Sequence, residues 1–217
     1  MNIAVGADAT TLFRAAYENR YTWDSSFPGY TADVTYRCGD QVFQGQAKVS
    51  PDPRMGYKGE VTGIEDEEVL KAIQGQLWET AIHRVRRAFE QTHGANTFTF
   101  GETDESGAVE IIMGGKATGD RYKVRNNEVV LVHRHIHGNV VTINTFSTYE
   151  TGAGYLSHTY DSVYHDPQTG VQTSPKQLFE DSYEEVNGYT VLNKRVITTE
   201  DNSQPVEFVF TNIQLLA

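Results

Sequence analysis

Residues 30–49 read YTADVTYRCGDQVFQGQAKV, and the period of two on either side of Gly39-Asp40 decides the architecture. Tyr30, Ala32, Val34, Tyr36 and Cys38 share one face of an extended strand, while Thr31, Asp33, Thr35 and Arg37 share the other. Beyond the Gly-Asp turn, Phe43, Gly45, Ala47 and Val49 oppose Gln44, Gln46 and Lys48. Strands with one apolar and one polar face belong to antiparallel sheets, because parallel sheets are covered on both sides and read as continuous apolar runs. Asp52-Pro53 turns the chain again, and Met55, Tyr57 and Val61 then alternate with Lys58 and Glu60. Residues 30–63 are therefore expected to be a three-stranded meander.

Working outward, residues 8–20 suit a helix, since Leu12, Phe13, Ala16 and Tyr17 recur at three- and four-residue spacing. An aromatic link with the Pro28-Gly29 turn joins it to the first strand. After the meander comes a helical insertion over 65–92. There Val69, Ile73, Leu77, Ala81, Val85 and Phe89 form a stripe joined by Leu70, Trp78 and Ile82, with a kink or split available at Gly75. The acidic run at 65–68 and the arginines Arg84, Arg86 and Arg87 match the two ends of a helix dipole. Period two returns over 96–216, punctuated by Asn126-Asn127, His137-Gly138, Asn187-Gly188 and other turn signals. The expected fold is α+β, mainly antiparallel β. It is a curved half-barrel of about 11–12 strands with an N-terminal helix and an inserted helical segment across the concave face.

The 217 residues, 38 % of them apolar and 11 % aromatic, suffice for one sizeable core and point to a single domain. A formal charge of −11 repels phosphate backbones, which argues against a nucleic acid partner. Cys38 is the sole cysteine, so no internal disulfide can form and a reducing compartment suits the chain. With no basic-then-apolar leader and no run near the ~18 apolar residues of a membrane span, the chain is expected to be cytoplasmic and without a transmembrane segment.

A sheet this wide, capped by few helices, leaves concave space, and several inward positions carry an apolar body with a polar tip. The candidate ligand-binding residues are Tyr36, Tyr57, Ile73, Leu77, Trp78, Tyr122, Tyr155 and Tyr189. The plainer reading of the same tyrosines is an ordinary core.

Three histidines alternate in Val129–Asn139, VVLVHRHIHGN. Side chains two apart on a strand stand ~6.7 Å from each other, so His133 and His135 could share a metal whose bonds to nitrogen are ~2.0–2.1 Å. The His137-Gly138 turn removes the third. A further ligand would have to come from His158, His165 or Asp166. Ser157-His158 and Ser162 with His165-Asp166 supply the residue types of a serine hydrolase but no nucleophile elbow. His83, Arg84, Arg86 and Arg87, with Arg20, offer an anion-receiving patch or, more plainly, a solvated helix face. No cofactor is implied.

The segments 12–30 (LFRAAYENRYTWDSSFPGY), 83–94 (HRVRRAFEQTHG), 119–129 (GDRYKVRNNEV) and 207–216 (EFVFTNIQLL) resemble an uncharacterised family of cyanobacterial and plastid proteins, a domain of unknown function. In layout the chain is more remotely similar to the LolA, LolB and LppX-type lipoprotein carriers. The shared features are Phe27-Pro-Gly-Tyr30 leading into the first strand, the helical insertion after three strands, and the last strand ending Phe210-Thr-Asn-Ile213. That resemblance implies a half-barrel with helices over a lipid-binding concavity. The leading functional expectation is a non-enzymatic carrier of an apolar molecule, a lipid, pigment or isoprenoid. The alternatives are an assembly factor for photosynthetic complexes that docks a protein partner, and a metal-dependent hydrolytic enzyme.

Overall fold

The computed structural model describes residues 8–217, the side chain of Ser203 excepted. In chain order the elements are α1 (Ala9–Glu18), β1 (Tyr30–Cys38), β2 (Gln41–Asp52), β3 (Gly56–Thr62), α2 (Glu67–Arg84), α3 (Phe89–His93), β4 (Asn96–Thr103), β5 (Val109–Gly115), β6 (Arg121–Arg125), β7 (Glu128–Ile136), β8 (Asn139–Glu150), β9 (Tyr155–His165), β10 (Gln177–Val186), β11 (Tyr189–Thr199) and β12 (Asn202–Leu215). The fold is thus mainly antiparallel β, twelve strands in open order with a few helices, as the period-two reading requires. The chain divides into two compact units, Met1–Tyr21 with Arg87–Leu178, and Thr22–Arg86 with Phe179–Ala217.

In the first unit the strands lie in chain order from β4 to β9. Two of its hairpins turn on residues with positive φ, Asn126 and Asn127 at 53° and 63°, and His137 and Gly138 at 48° and 81°. Such paired left-handed residues match the twist of the flanking strands. They take His137 out of β7. Helix α1 is capped by Asp8, whose carboxylate accepts the Thr11 N–H at 2.7 Å. Phe13, Ala16 and Tyr17 of α1, with Phe89 of α3, pack on Val109, Ile111, Met113, Tyr122 and Val124 of the sheet. The Phe13 ring lies 4.7 Å from Tyr122, 5.1 Å from His93, 5.5 Å from Phe98 and 6.1 Å from Phe89. The helix–sheet space here is filled by rings.

In the second unit the strand order is β3-β2-β1-β12-β11-β10, so the first and last strands of the chain are neighbours. The β1–β2 hairpin turns at Gly39-Asp40, with Cys38 facing Gln41 and Tyr36 facing Phe43. Helix α2 starts at Asp66, whose side chain accepts the N–H groups of Glu68 and Val69 at 3.0 Å. Glu67 and Glu68 occupy its first turn, and His83 and Arg84 its last. Its apolar stripe is buried as expected at Val69, Ile73, Leu77 and Ala81.

The end of α2 differs from the sequence expectation. Gly75 does not split it, and the break falls at Val85, which is extended (φ −74°, ψ 122°). Val85 bridges to Trp23, whose N–H donates to the Arg84 carbonyl at 2.8 Å. A tertiary donor thus satisfies a helix-terminal acceptor that a further turn would have used. Arg86 and Arg87 consequently lie outside α2. The helix sits close to the sheet at Gly59, where a Cβ would come within 2.7 Å of the Leu77 Cβ. Glycine at this position is what permits the approach.

Candidate functional site

A row of registered pairs crosses four strands of the second unit: Arg195 faces Phe208, Phe208 faces Tyr36, and Tyr36 faces Phe43. Paired residues share a face, so one aromatic row leads to one guanidinium. The Tyr36 ring is 5.4 Å from Phe208 and 6.1 Å from Phe43. Phe208 is buried, whereas Tyr36 and Phe43 are half-buried. Helix α2 covers this face. Burial raises the Tyr36 phenol pKa, with lesser contributions from Cys38 and from Asp66 at the start of α2. Burial likewise raises Tyr30 and Tyr183, opposed by Arg84 at the end of α2.

Arg195 is the charged centre of that face. Its Nε and Nη2 donate to Asp181 Oδ1 and Oδ2 at 2.7 and 2.6 Å, a bidentate fork. Its Nη1 donates to Gln76 Oε1 at 2.8 Å and Glu79 Oε1 at 3.3 Å, both on α2. The Arg195 and Asp181 side chains are only 5 % and 2 % exposed. Tyr183 donates its hydroxyl to Asp181 Oδ2 at 3.4 Å, and the Arg84 guanidinium stands 5.8 Å from the Tyr183 ring centre. One turn from Gln76, Thr80 is 5 % exposed and its Oγ1 has no hydrogen-bond partner.

The sequence-derived candidates fall into distinct settings. Tyr36 is at the open part of the row. Ile73 and Leu77 are buried under α2, and Trp78 is 47 % exposed on its flank. Tyr57 and Tyr189 belong to an aromatic staple: Tyr57 stacks edge-on against Trp23 at 5.2 Å and donates to the Phe27 carbonyl, while Tyr189 lies 4.8 Å from Phe27 and donates to Asp24. Trp23 and Phe27 of the aromatic link are themselves buried. Tyr122 and Tyr155 sit in the first unit, where burial raises each phenol pKa to about 12. Tyr155 Oη accepts the Val129 N–H at 2.9 Å. Arg195 and Asp181 were not among the candidates.

His133 and His135 do share a face, their rings 6.4 Å apart. Each has its Nδ1 engaged, His133 with Thr142 at 2.9 Å and His135 with Asp120 at 3.0 Å. Burial lowers the His133 pKa, helped by Arg121. His165 faces Val140, which faces His135, so it stands two strands away, ~9.6 Å. His158 is near the opposite end of β9. Asp166 spends one carboxylate oxygen on its own turn, accepting from Gln168 and Thr169. Among the described residues no group of three or more His, Cys, Asp or Glu could hold a metal. Of the basic residues considered as an anion-receiving patch, Arg86 donates to Thr22, while Arg20 donates to the Tyr17 carbonyl and lies over the Tyr17 ring. A cleft of about 410 Å³ in the first unit is lined by Arg125, Glu128, Phe146, Thr148 and Glu150, among others. Burial raises the Glu128 pKa there, and the neighbouring Glu150 adds to the rise.

Fold and site together define an open, mainly antiparallel β protein with a helix laid over an aromatic sheet face. A family model described as a protein of unknown function (DUF3386) matches residues 4–216, and the chain belongs to that family. The match does not bear on a cyanobacterial or plastid source. No curated protein matches the chain. Among solved structures, a domain from Vibrio parahaemolyticus described as an outer membrane lipoprotein-sorting domain is similar at TM-score 0.41 and 10 % identity, over 96 % of this chain and 91 % of that one. A LolA superfamily protein from Nitrosomonas europaea is similar at 0.34 and 6 % (98 % and 95 % covered), and a DUF1329 family protein from Desulfovibrio piger at 0.35 and 7 % (96 % and 94 %). These likenesses are too distant to transfer a ligand or a role. Among the described residues no helix is long and apolar enough to cross a membrane.

Proposed function

We propose that this protein is a non-enzymatic binding or carrier protein for an apolar molecule of the lipid, pigment or isoprenoid class, held against the α2-covered face of the second unit. The observation that supports this is the half-open aromatic pair Tyr36 and Phe43, in register with the buried Phe208. Aromatic surface left partly uncovered beside a packed face is a binding wall whose burial by a ligand is favourable at about 25 cal/mol per Å². Ile73, Leu77, Tyr57 and Tyr189 form the packed surroundings in this reading, and Trp78 extends the apolar surface along α2. Tyr122 and Tyr155, in the first unit, are not assigned to this face. Cytoplasmic residence, in keeping with the lone Cys38, belongs to the same reading and is tested by fractionating source cells.

Protein isolated from its own source should carry an extractable apolar molecule, visible by native mass spectrometry as a mass increment that solvent removes. Delipidated protein should take up a fluorescent acyl probe, and Tyr36→Ser should weaken that uptake several-fold. Failure of the delipidated protein to take up any acyl or polycyclic probe at micromolar concentration overturns the reading.

A further inference from the structure

The half-open row ends in a polar centre that hydrocarbon cannot satisfy. Arg195, Asp181, Glu79 and Gln76 meet over the sheet, with Tyr183 and Arg84 at their edge. Resting on the binding role proposed above, we infer that the bound molecule is an amphiphile with an uncharged, hydrogen-bonding head group, such as a hydroxyl or ester, seated at Thr80 beside Arg195.

Three features carry this. Among these groups the charges balance, Arg195 and Arg84 against Asp181 and Glu79, and the bidentate Arg195–Asp181 pair is nearly inaccessible at 5 % and 2 % exposure. An anionic head would meet Asp181 and Glu79. A cationic head would meet Arg195 and Arg84, and either would arrive without a free counter-charge in a medium where unpaired charge is costly. The second feature is Thr80. Its side chain is buried on the sheet-facing side of α2 with Ile73, Leu77 and Ala81, one turn beyond Gln76, and its hydroxyl oxygen lacks a partner. A buried hydroxyl both donates and accepts, which suits an alcohol, ester or amide. The third is distance: from Arg195 to Phe43 the row spans three strand spacings, ~14 Å, which matches the length of a head group with roughly ten methylene groups.

The test uses delipidated full-length protein titrated calorimetrically at about pH 8, where carboxylic acids are ionised and amines largely protonated. The probes are 1-decanol, decanoate and decylammonium, each below its aggregation threshold. Decanol is expected to bind about ten-fold tighter than either ion. Thr80→Val should weaken decanol about five-fold without altering decanoate, and Thr80→Ser, which keeps the hydroxyl, should retain the preference. Unchanged circular dichroism guards against misfolding of either variant. Decanoate or decylammonium binding as tightly as decanol, or a Thr80→Val protein that keeps the preference, overturns the head-group inference while leaving the binding role standing. No binding by any of the three probes overturns the head-group inference, and it overturns the binding role as well where the acyl and polycyclic probes are also refused.

Discussion

The two units solve the same problem, a helix on a sheet face, with different chemistry. In the first, α1 and α3 meet the sheet through Phe13, Phe89, Phe98 and Tyr122, and even His93 is recruited as a ring. In the second, α2 meets the sheet through Ile73 and Leu77 on one side and through hydrogen bonds to Arg195 on the other. Ring packing supplies burial energy without fixing polar geometry. A buried ion pair adds little net stability but fixes which groups stand where. In the second unit the bidentate Arg195–Asp181 pair lies in register with the half-buried Tyr36 and Phe43, so a fixed polar geometry and partly covered aromatic surface share one sheet face.

Breaking each arrangement should expose the contrast. Phe13→Ala empties the middle of the first unit's rings and should cost about 3–5 kcal/mol in urea unfolding. Asp181→Ala leaves the Arg195 charge buried without its fork and should cost about 3 kcal/mol, whereas Arg195→Met with Asp181→Leu should recover most of that loss. If the double replacement is as unstable as the single one, packing rather than charge holds α2. The same comparison can be sharpened by pH. Burial, with Arg134 and Arg20 adding to it, lowers the His93 pKa from 6.5 to about 4. The folded state therefore keeps His93 neutral where the unfolded chain protonates it, so stability is full above about pH 6.5 and falls as pH drops toward about 4. After screening, the loss should be about 2 kcal/mol, absent in His93→Phe, as read from thermal unfolding across that window. Gly59→Ala should cost about 1–2 kcal/mol by forcing Leu77 off the sheet. Smallest of all, Thr80→Val should raise stability by about 1 kcal/mol without ligand, because it removes an unpaired buried hydroxyl.

What could be read from the chain alone was what neighbours in sequence decide. The Gly39-Asp40 turn joins β1 to β2 where the period of two predicts, and the strand period places His133 and His135 on one face; both hold. The Phe208 partner of Tyr36 required β1 and β12 to find each other across almost the whole chain, which no local pattern encodes. Arg195 was hidden more subtly. Counting back from the Asn187-Gly188 turn sets Lys194, not Arg195, opposite Asp181, yet the fork forms with Arg195. An aromatic-rich inward set, Phe179, Asp181 and Tyr183, did carry one acid that needed a cation, and that misfit was the available signal. Likewise Val85 keeps the four-residue stripe of α2 but leaves the helix, because the deciding donor is the Trp23 N–H from far earlier in the chain.

The pairing of β1 with β12 also bears on how the molecule is made. Thr31 faces Gln214, so the second unit closes the longest loop in the chain before its central strand gains a second neighbour. During synthesis the β1–β3 meander emerges early and waits as an edge with unpaired backbone groups, while the first unit, whose strands pair in order, can assemble behind it. The α2-covered face is thus completed only when β12 pairs with β1, and until then the β1 edge is open to wrong pairing.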